Sequence, residues 1–179
     1  MTVDTQAAAA KTGNRVTRAF GLKGEAWMRH ANPASVWTRF AALPLIVLAV
    51  WSRDWIGWWC LVPVALSLLW LVVNPLFFHE PASTRNWASK SVFGERVWTE
   101  GNRSMFPPEF RSPVPTITML FQGVGVAAMV YGLVVLDPIT TVTGLVLCQV
   151  AKVWYLDRMV LLFDAMVPRV AEYASWDRG

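Results

Sequence analysis

The sequence WIGWWCLVPVALSLLWLVVN, residues 55–74, runs for twenty residues without a charged side chain. A helix that crosses a bilayer needs about 20 mostly apolar residues, because each adds about 1.5 Å to the path through a hydrocarbon core about 30 Å thick. This stretch therefore predicts a membrane-spanning helix, and it sets the class to which the whole chain belongs.

Three further apolar stretches flank it, so the sequence predicts an all-α, polytopic membrane protein with four transmembrane helices. Residues 1–35 form an N-terminal segment, residues 36–166 form the membrane domain, and residues 167–179 form a C-terminal tail. The spans are paired by short turns, and one long connection separates the two pairs. The predicted spans are residues 36–52, 55–74, 116–136 and 140–163, and the long connection is residues 76–114.

The composition agrees with this class. The chain has 179 residues, of which 55% are hydrophobic and 16% are charged, whereas a soluble domain carries about 25% charged residues. Its eleven Trp residues are typical of side chains at a water–lipid boundary. Cys60 and Cys148 lie inside apolar runs and are expected to be small buried residues.

The basic residues predict the orientation. Arg53 is the only Lys or Arg in either short turn, whereas five precede the first span and five lie in the long connection. The positive-inside rule then places both termini and residues 76–114 in the cytoplasm, with the spans in the inner membrane. This distribution also accounts for the net charge of +4 without a nucleic-acid partner.

Local signals divide the long connection. Residues 81–98 predict a helix capped by Ser83 or Thr84, with Trp87, Ser91, Gly94 and Trp98 on one stripe. This helix and a second one at residues 15–30 are either amphipathic helices on the inner membrane surface or ordinary surface helices at the base of the bundle. Four prolines in residues 105–115 predict an extended connector.

Prolines also mark the spans. Pro44 and Pro63 are expected to kink the first and second span. The Asn32–Pro33 and Asn74–Pro75 pairs predict two helix breaks at the inner face.

Span four carries the polar residues that raise the question of function. At about 100° per residue, its polar side chains gather on one face that should point into the bundle, with one arginine outside that face. We expect a contact between Arg39 and Asp157, with Lys152 facing Gln149 or a carbonyl at a proline kink. Either this is a buried ion pair that fixes helix register, or it is a polar pocket that opens to the cytoplasm. The face consists of Gln149, Lys152, Asp157 and Asp164, and the arginine outside it is Arg158.

A second candidate site contains the two histidines. His30 and His79 both belong to the predicted inner face, and Glu80 follows directly. Two His and a carboxylate could ligate a metal, and two His could ligate a haem. The alternative is two interfacial histidines beside helix breaks. No HExxH, GxSxG or Gly-rich phosphate loop is present, so no catalytic class is indicated, and the cofactor is unknown.

Span three carries small residues at helical spacing. The pairs Gly123/Ala127 and Ala128/Gly132 would let a second helix approach closely, either within the chain or from a protein partner or a second copy.

Four segments together resemble a family of small prokaryotic membrane proteins known only as a domain of unknown function. The resemblance covers residues 28–166. It implies a multi-pass membrane protein and no activity. The segments are HANPASVWTRF (residues 30–40), NPLFFHEP (74–81), NWASKSVFGERVW (86–98) and WYLDRMVLLFDAM (154–166).

These patterns favour a non-enzymatic accessory or subunit protein that acts through its cytoplasmic-side face. Two other hypotheses stay open at this point. One is a membrane-embedded enzyme or binder of an amphiphilic, lipid-like ligand that uses the polar face of span four. The other is a His-ligated haem or metal protein.

Overall fold

The structure is a computed structural model that describes residues 25–179, and every regular element in that part of the chain is helical. The predicted helix at residues 15–30 is present from Glu25, and its earlier part lies outside the described residues. The α-helices are α1 (Glu25–His30), α2 (Pro33–Trp51), α3 (Arg53–Ile56), α4 (Leu61–Phe77), α5 (Trp87–Glu100), α6 (Val114–Val135), α7 (Pro138–Met166) and α8 (Ala171–Ala174).

The chain divides into two compact units. The apolar unit consists of residues 37–77 and 113–155, and the described part of the loop unit consists of residues 25–36, 78–112 and 156–179. Helix α7, with 29 residues, contributes its first part to the apolar unit and its last part to the loop unit.

Three helical segments among residues 25–179 are long and apolar enough to cross a membrane: Pro33–Phe77, Pro108–Val135 and Pro138–Arg169. The first has 45 residues, which as one straight helix would measure about 68 Å, more than twice a hydrocarbon core. It is not straight, because Gly57 leaves the helical conformation with φ 57° and ψ −137°.

The two halves of this segment run antiparallel. Asn74, near the end of α4, is buried, and its Nδ2 donates a hydrogen bond to Thr38 Oγ1, near the start of α2, at 2.9 Å. Residues at the far ends of a 45-residue segment can meet only if the chain reverses, so α2 and α4 form a helical hairpin.

Two proline predictions are wrong. Pro63 is the third residue of α4, in the first turn, where a backbone N–H has no intrahelical acceptor, so it has no reason to kink the helix. Helix α4 also continues through Pro75 to Phe77 instead of breaking at Asn74–Pro75. By contrast, Asn32 does end one helix and cap the next, because its Oδ1 accepts the Ala34 N–H at 2.9 Å with Pro33 at the first position of α2.

Helices α6 and α7 form a second hairpin. A Cβ atom at Gly132 would lie 2.5 Å from the backbone nitrogen of Thr141, so only glycine permits this approach. The turn places Leu136 in the left-handed region, with φ 55°. The Asp137 carboxylate then accepts the Thr140 N–H at 3.0 Å and caps α7. The side chain and backbone of Thr140 hold the pKa of Asp137 below its ordinary value.

The contacts of Arg53 explain why one basic residue occurs in a short turn. Its guanidinium donates to the carbonyls of Leu133 and Val134, the latter at 2.9 Å. Both carbonyls belong to the last turn of α6, where no intrahelical donor is available. A cation at a helix C-terminus also interacts favourably with the helix dipole.

The loop unit has a core of its own. Helix α5 lies at its centre, since seven of its fourteen residues are buried and Glu100 is its one exposed residue. Phe93 contacts the rings of Phe163 and Trp176, with centroids 5.5 and 5.8 Å away. The fully buried large side chains of this core are Phe93, Val97, Phe106, Met159, Leu162, Phe163 and Met166.

Three details of this region correct the sequence predictions. The cap of α5 is Asn86, whose side chain accepts the Ser89 N–H at 2.9 Å, and not Ser83 or Thr84. On the predicted stripe, Ser91 and Gly94 are buried and the two tryptophans are half-buried, so the stripe is no exposed apolar face. Residues 105–115 contain a turn of 3₁₀-helix at Pro108–Arg111 and are not extended throughout.

Candidate functional site

The contacts that the structure shows for the polar residues of α7 lead to different neighbours, and the polar site predicted on this face stays a prediction. Gln149 is half-buried, and its Nε2 donates to the Phe40 carbonyl at 3.0 Å. Phe40 lies four residues before Pro44, which has no N–H to donate back to it. Gln149 therefore satisfies the carbonyl that the proline leaves open. The sequence predicted a polar side chain at a proline kink, but assigned it to Lys152.

The other polar residues of this face contact other neighbours. The ammonium of Lys152 lies 5.4 Å from the centroid of the Tyr155 ring. Asp157 pairs with its neighbour Arg158 at 3.1 Å, and Asp164 pairs with Lys90 of α5 at 2.8 Å. Both pairs are partly exposed, where such contacts contribute about 0–1 kcal/mol each.

The predicted contact between Arg39 and Asp157 joins residues of different units. Arg39 is half-buried in the apolar unit and Asp157 is half-buried in the loop unit. This contact stays a prediction.

Each residue of the second predicted site has a contact of its own. His30 stands edge-on to Trp27, with centroids 6.0 Å apart. His79 is exposed, and its carbonyl accepts a hydrogen bond from Asn32 Nδ2 at 3.0 Å. Glu80 pairs with Arg178 at 2.9 Å. Within residues 25–179, no three His, Cys, Asp or Glu side chains lie together as metal ligands would. The metal and haem hypotheses stay predictions.

The loop unit holds a cation–aromatic stack that sequence reasoning missed. The Arg96 guanidinium lies over the Trp176 ring at 4.1 Å and over the Trp27 ring at 5.6 Å, while its Nε donates to Glu100 at 2.9 Å. Tyr173 packs against Trp176, and burial together with the charge of Glu172 raises the pKa of its phenol. The only signal in the sequence was the aromatic content of the tail, which was interpreted as a plain C-terminal segment.

The tail is fixed to the segment before α5. Thr84 donates its hydroxyl to the Trp176 carbonyl at 2.8 Å and accepts the Arg178 N–H at 2.7 Å. The Thr84 N–H donates to the Arg178 carbonyl at 2.9 Å. Arg85 pairs with Asp177 at 3.4 Å. Residues 176–178 are therefore part of the folded unit and not a free end.

A second stack lies in the segment that leads back to α6. The Arg103 guanidinium lies over the Trp98 ring at 4.6 Å, and Trp98 in turn stacks on the buried Phe106 at 5.9 Å. Arg111 donates from Nε to the Phe106 carbonyl at 3.1 Å and from Nη2 to the Ser104 carbonyl at 2.8 Å. Two guanidinium groups are thus held on one short loop.

The apolar unit has a groove of about 370 Å³ between α2 and α7. Trp51 and Trp55 lie at one end of it, in the turn region of the first hairpin. The other residues that line it are Pro44, Val47, Leu48, Pro138, Val142 and Leu145.

The small residues of α6 divide into two groups. Gly132 is buried against Thr141 and Ala128 is half-buried, whereas Gly123 and Ala127 are exposed. Gly125, which the sequence pattern did not single out, is buried, and a Cβ there would lie 2.6 Å from the backbone nitrogen of Cys148. One face of α6 therefore serves packing inside the chain, and the other is open.

A family model described as a family of unknown function, DUF6653, matches residues 11–178. The chain belongs to this family. The match takes in both units, which confirms the resemblance to a domain of unknown function. No curated protein matches the chain, and no solved structure matches it.

The segments that carried the resemblance have a common place in the structure. Most of their residues lie in the loop unit, including all of Asn86–Trp98, which forms the cap and body of α5. In this member of DUF6653, two of those segments supply Phe93 and Phe163, whose rings contact each other in the core of the loop unit.

Proposed function

We propose that this protein is a four-span protein of the inner membrane, with both termini and the loop unit on the cytoplasmic side. We further propose that it acts as a non-enzymatic accessory protein or subunit that presents the loop unit to a partner. The observation that carries the proposal is that the long connection packs with the end of α7 and the C-terminal tail around a buried aromatic core, centred on Phe93. A mere linker between membrane helices needs no such core.

Four spans are supported by the hairpin of α2 and α4. The bond between Asn74 and Thr38 fits two antiparallel passes better than one crossing by the 45-residue segment. Arg53 supports the orientation, because it is engaged with the end of α6. With that residue explained by capping, the short turns carry no other Lys or Arg, as the positive-inside rule requires of outer loops.

A non-enzymatic role is supported by the way in which the polar residues of α7 are used. Gln149 serves the Phe40 carbonyl, Asp157 pairs with Arg158, and Asp164 pairs with Lys90. The first and third of these contacts join two helices and the second joins neighbours on one helix, so the three serve packing at separate places and show no arrangement of acid, base and nucleophile.

The open face of α6 is the proposed contact with a partner helix, either from another protein or from a second copy. Among residues 25–179, no atom of a neighbouring element lies within 4 Å of a Cβ built at Gly123. Membrane helices associate through such small residues because their backbones can approach closely.

The topology is tested by labelling single cysteines in whole cells with a membrane-impermeant thiol reagent. Asp54 and Glu109 are both exposed, and the native Cys60 and Cys148 are buried. We expect Asp54→Cys to react in intact cells and Glu109→Cys to react only after permeabilisation. Labelling of both or of neither in intact cells would contradict the proposed orientation.

The partner contact is tested by oxidative cross-linking of full-length protein in native membranes. Ala127→Cys lies on the open face. Val126→Cys is a matched control, because it is also exposed but points about 100° away around the helix. We expect a disulfide-linked species, either a dimer or a complex with one stoichiometric protein, for Ala127→Cys alone. Equal products from both variants would indicate random collision.

A second candidate function is binding of an amphiphile. The groove between α2 and α7 supports it, because its lining is apolar and tryptophans stand at one end, as suits an acyl chain whose headgroup lies at the interface. Val142→Trp would fill the groove, and Val146→Trp is a matched control, since it is exposed on the same helix but does not line the groove. Loss of a co-purified lipid in the first variant alone would support this function, and equal retention in both would argue against it.

A further inference from the structure

The loop between α5 and α6 differs from the rest of the loop unit in how its charges are used. Elsewhere in that unit most cations have carboxylate partners: Arg85 with Asp177, Lys90 with Asp164, and Arg178 with Glu80. Among residues 25–179, Arg103 and Arg111 have no carboxylate partner, although Glu109 is close to Arg111 in sequence.

Both guanidinium groups are nevertheless held in place. Arg103 rests on Trp98, which rests on the buried Phe106. Arg111 is fixed by the carbonyls of Phe106 and Ser104. The turn itself is closed by Asn102, whose Oδ1 accepts both the N–H and the hydroxyl of Ser104, at 3.0 and 2.8 Å. Both guanidinium groups are exposed, are held on one short loop and keep N–H donors that face no carboxylate, and such groups bind phosphate.

The position of the loop in the chain indicates which phosphate. Arg111 lies three residues before Val114, the first residue of α6. At no more than about 3.6 Å per residue, its Cα lies within about 11 Å of the start of that helix. Met105, two residues after Arg103, is half exposed. A basic loop with an exposed apolar side chain that leads directly into a proposed membrane helix meets lipid headgroups before it meets soluble anions.

We propose that Arg103 and Arg111 form a binding site for the phosphate of an anionic glycerophospholipid in the cytoplasmic leaflet. The site rests on the membrane placement proposed above and requires no protein partner. The lipid phosphate accepts hydrogen bonds from both guanidinium groups, while Met105 contacts the upper part of an acyl chain.

The test is native mass spectrometry of the full chain in mild detergent, with phosphatidylglycerol or phosphatidylcholine added at equal concentration. We expect the wild type to retain phosphatidylglycerol in preference to phosphatidylcholine. Arg103→Gln combined with Arg111→Gln should weaken phosphatidylglycerol binding roughly thirtyfold, if each arginine contributes about 1 kcal/mol.

The charge-matched control is Arg29→Gln combined with Arg169→Gln. These arginines are also exposed and, within the described residues, also lack a carboxylate partner, but no contact holds them on one loop. The control should keep the wild-type preference. Equal loss in both double variants would mean diffuse attraction, and absence of any preference in the wild type would mean no site. Either result would overturn the proposal.

Because Arg111 also stabilises the loop, a second variant separates binding from folding. Arg103→Gln breaks no hydrogen bond to the loop and should by itself weaken binding about fivefold. Resistance of the wild type to extraction from membranes by alkaline carbonate is measured in parallel. A chain that is extracted contradicts the membrane placement, whereas an integrated chain without lipid preference contradicts only the lipid site.

Discussion

The two units differ in the interactions that stabilise them. In the apolar unit, single polar side chains serve single orphaned backbone groups: Gln149 serves the Phe40 carbonyl, and Arg53 serves the end of α6. In the loop unit, aromatic rings form the core, and charges pair with one another around it, as Arg178 does with Glu80.

This difference follows from the proposed surroundings of the two units, which are lipid for the apolar unit and water for the loop unit. In a bilayer an unsatisfied carbonyl finds no water, so each one that a proline or a helix end exposes must have a donor. Large apolar side chains can remain on the outside there, and Leu66 and Val72 are more than 60% exposed. A unit in water is instead stabilised mainly by burying apolar area. The comparison predicts that the same substitution has unequal effects in the two units.

The largest difference is expected for phenylalanine. Phe93 is fully buried in the loop unit, whereas Phe121 is 45% exposed in the apolar unit. Phe93→Ala should lower the free energy of unfolding by about 3–5 kcal/mol, because it removes a core ring and leaves a cavity. Phe121→Ala, in contact with detergent or lipid, should cost about 1 kcal/mol or less. Thermal unfolding in the same detergent measures both, and equal losses would contradict the distinction between the units.

The two glycines of α6 allow a comparison inside the apolar unit. Gly132→Leu places a side chain against the backbone of Thr141 and should cost about 3 kcal/mol. Gly123→Leu meets open space and should leave the melting temperature of the isolated chain within a few degrees of the wild type. A substitution at Gly132 therefore cannot test a partner contact, because it would destabilise the hairpin of α6 and α7 itself. A loss of stability in Gly123→Leu as large as that in Gly132→Leu would contradict this packing of α6.

Arg53 tests whether backbone capping is as important as the apolar unit suggests. Arg53→Gln removes a charge-assisted donor from the carbonyls of Leu133 and Val134 and should cost about 1.5–3 kcal/mol. Arg169→Gln is the control, because Arg169 is exposed in the loop unit and should change stability by less than about 0.5 kcal/mol. Arg53→Lys keeps the charge but loses the fork, so an intermediate value would identify the geometry as the source of the effect.

The sequence predicted the positions of the helices better than the contacts between them. The apolar runs are long enough to locate α2, α4, α6 and α7, and the two Asn–Pro pairs located one break and misplaced another, since α4 continues beyond Pro75. A proline need not break a helix when a neighbouring group satisfies the backbone carbonyl that it leaves open, and this depends on tertiary contacts such as the one from Gln149 to the Phe40 carbonyl before Pro44. Local pattern carries no information about them.

The candidate sites were harder to predict for a related reason. Helical periodicity placed Gln149 and Asp164 on one face, but α7 is long enough to serve both units, so one face meets two different environments. Trp176 is distant in sequence from Arg96, and nothing in either segment indicates that they stack. A site that depends on where a tail docks is visible only once the fold is known.

The smallest expected effect concerns pH. The hydrogen bond from the side chain of Thr140, together with a smaller effect of the one from its backbone, holds the pKa of Asp137 below its ordinary value of 3.8. A carboxyl whose pKa is lower in the folded state than in the unfolded state adds stability above its unfolded pKa, and this stability is lost as the pH falls through its folded pKa. The wild type should therefore lose a small part of its stability on acidification below about pH 4.

Asp137→Asn isolates this contribution, because asparagine caps a helix about as well as aspartate but does not titrate there. We expect the variant to match the wild type near pH 3 and to be slightly less stable near pH 6, with melting temperature measured in detergent at each pH. Phe93→Ala, which changes no titratable group, should instead shift both points together. If Asp137→Asn keeps the same constant offset from the wild type at every pH, the carboxylate acts only by its shape, and charge has no part in closing the second hairpin.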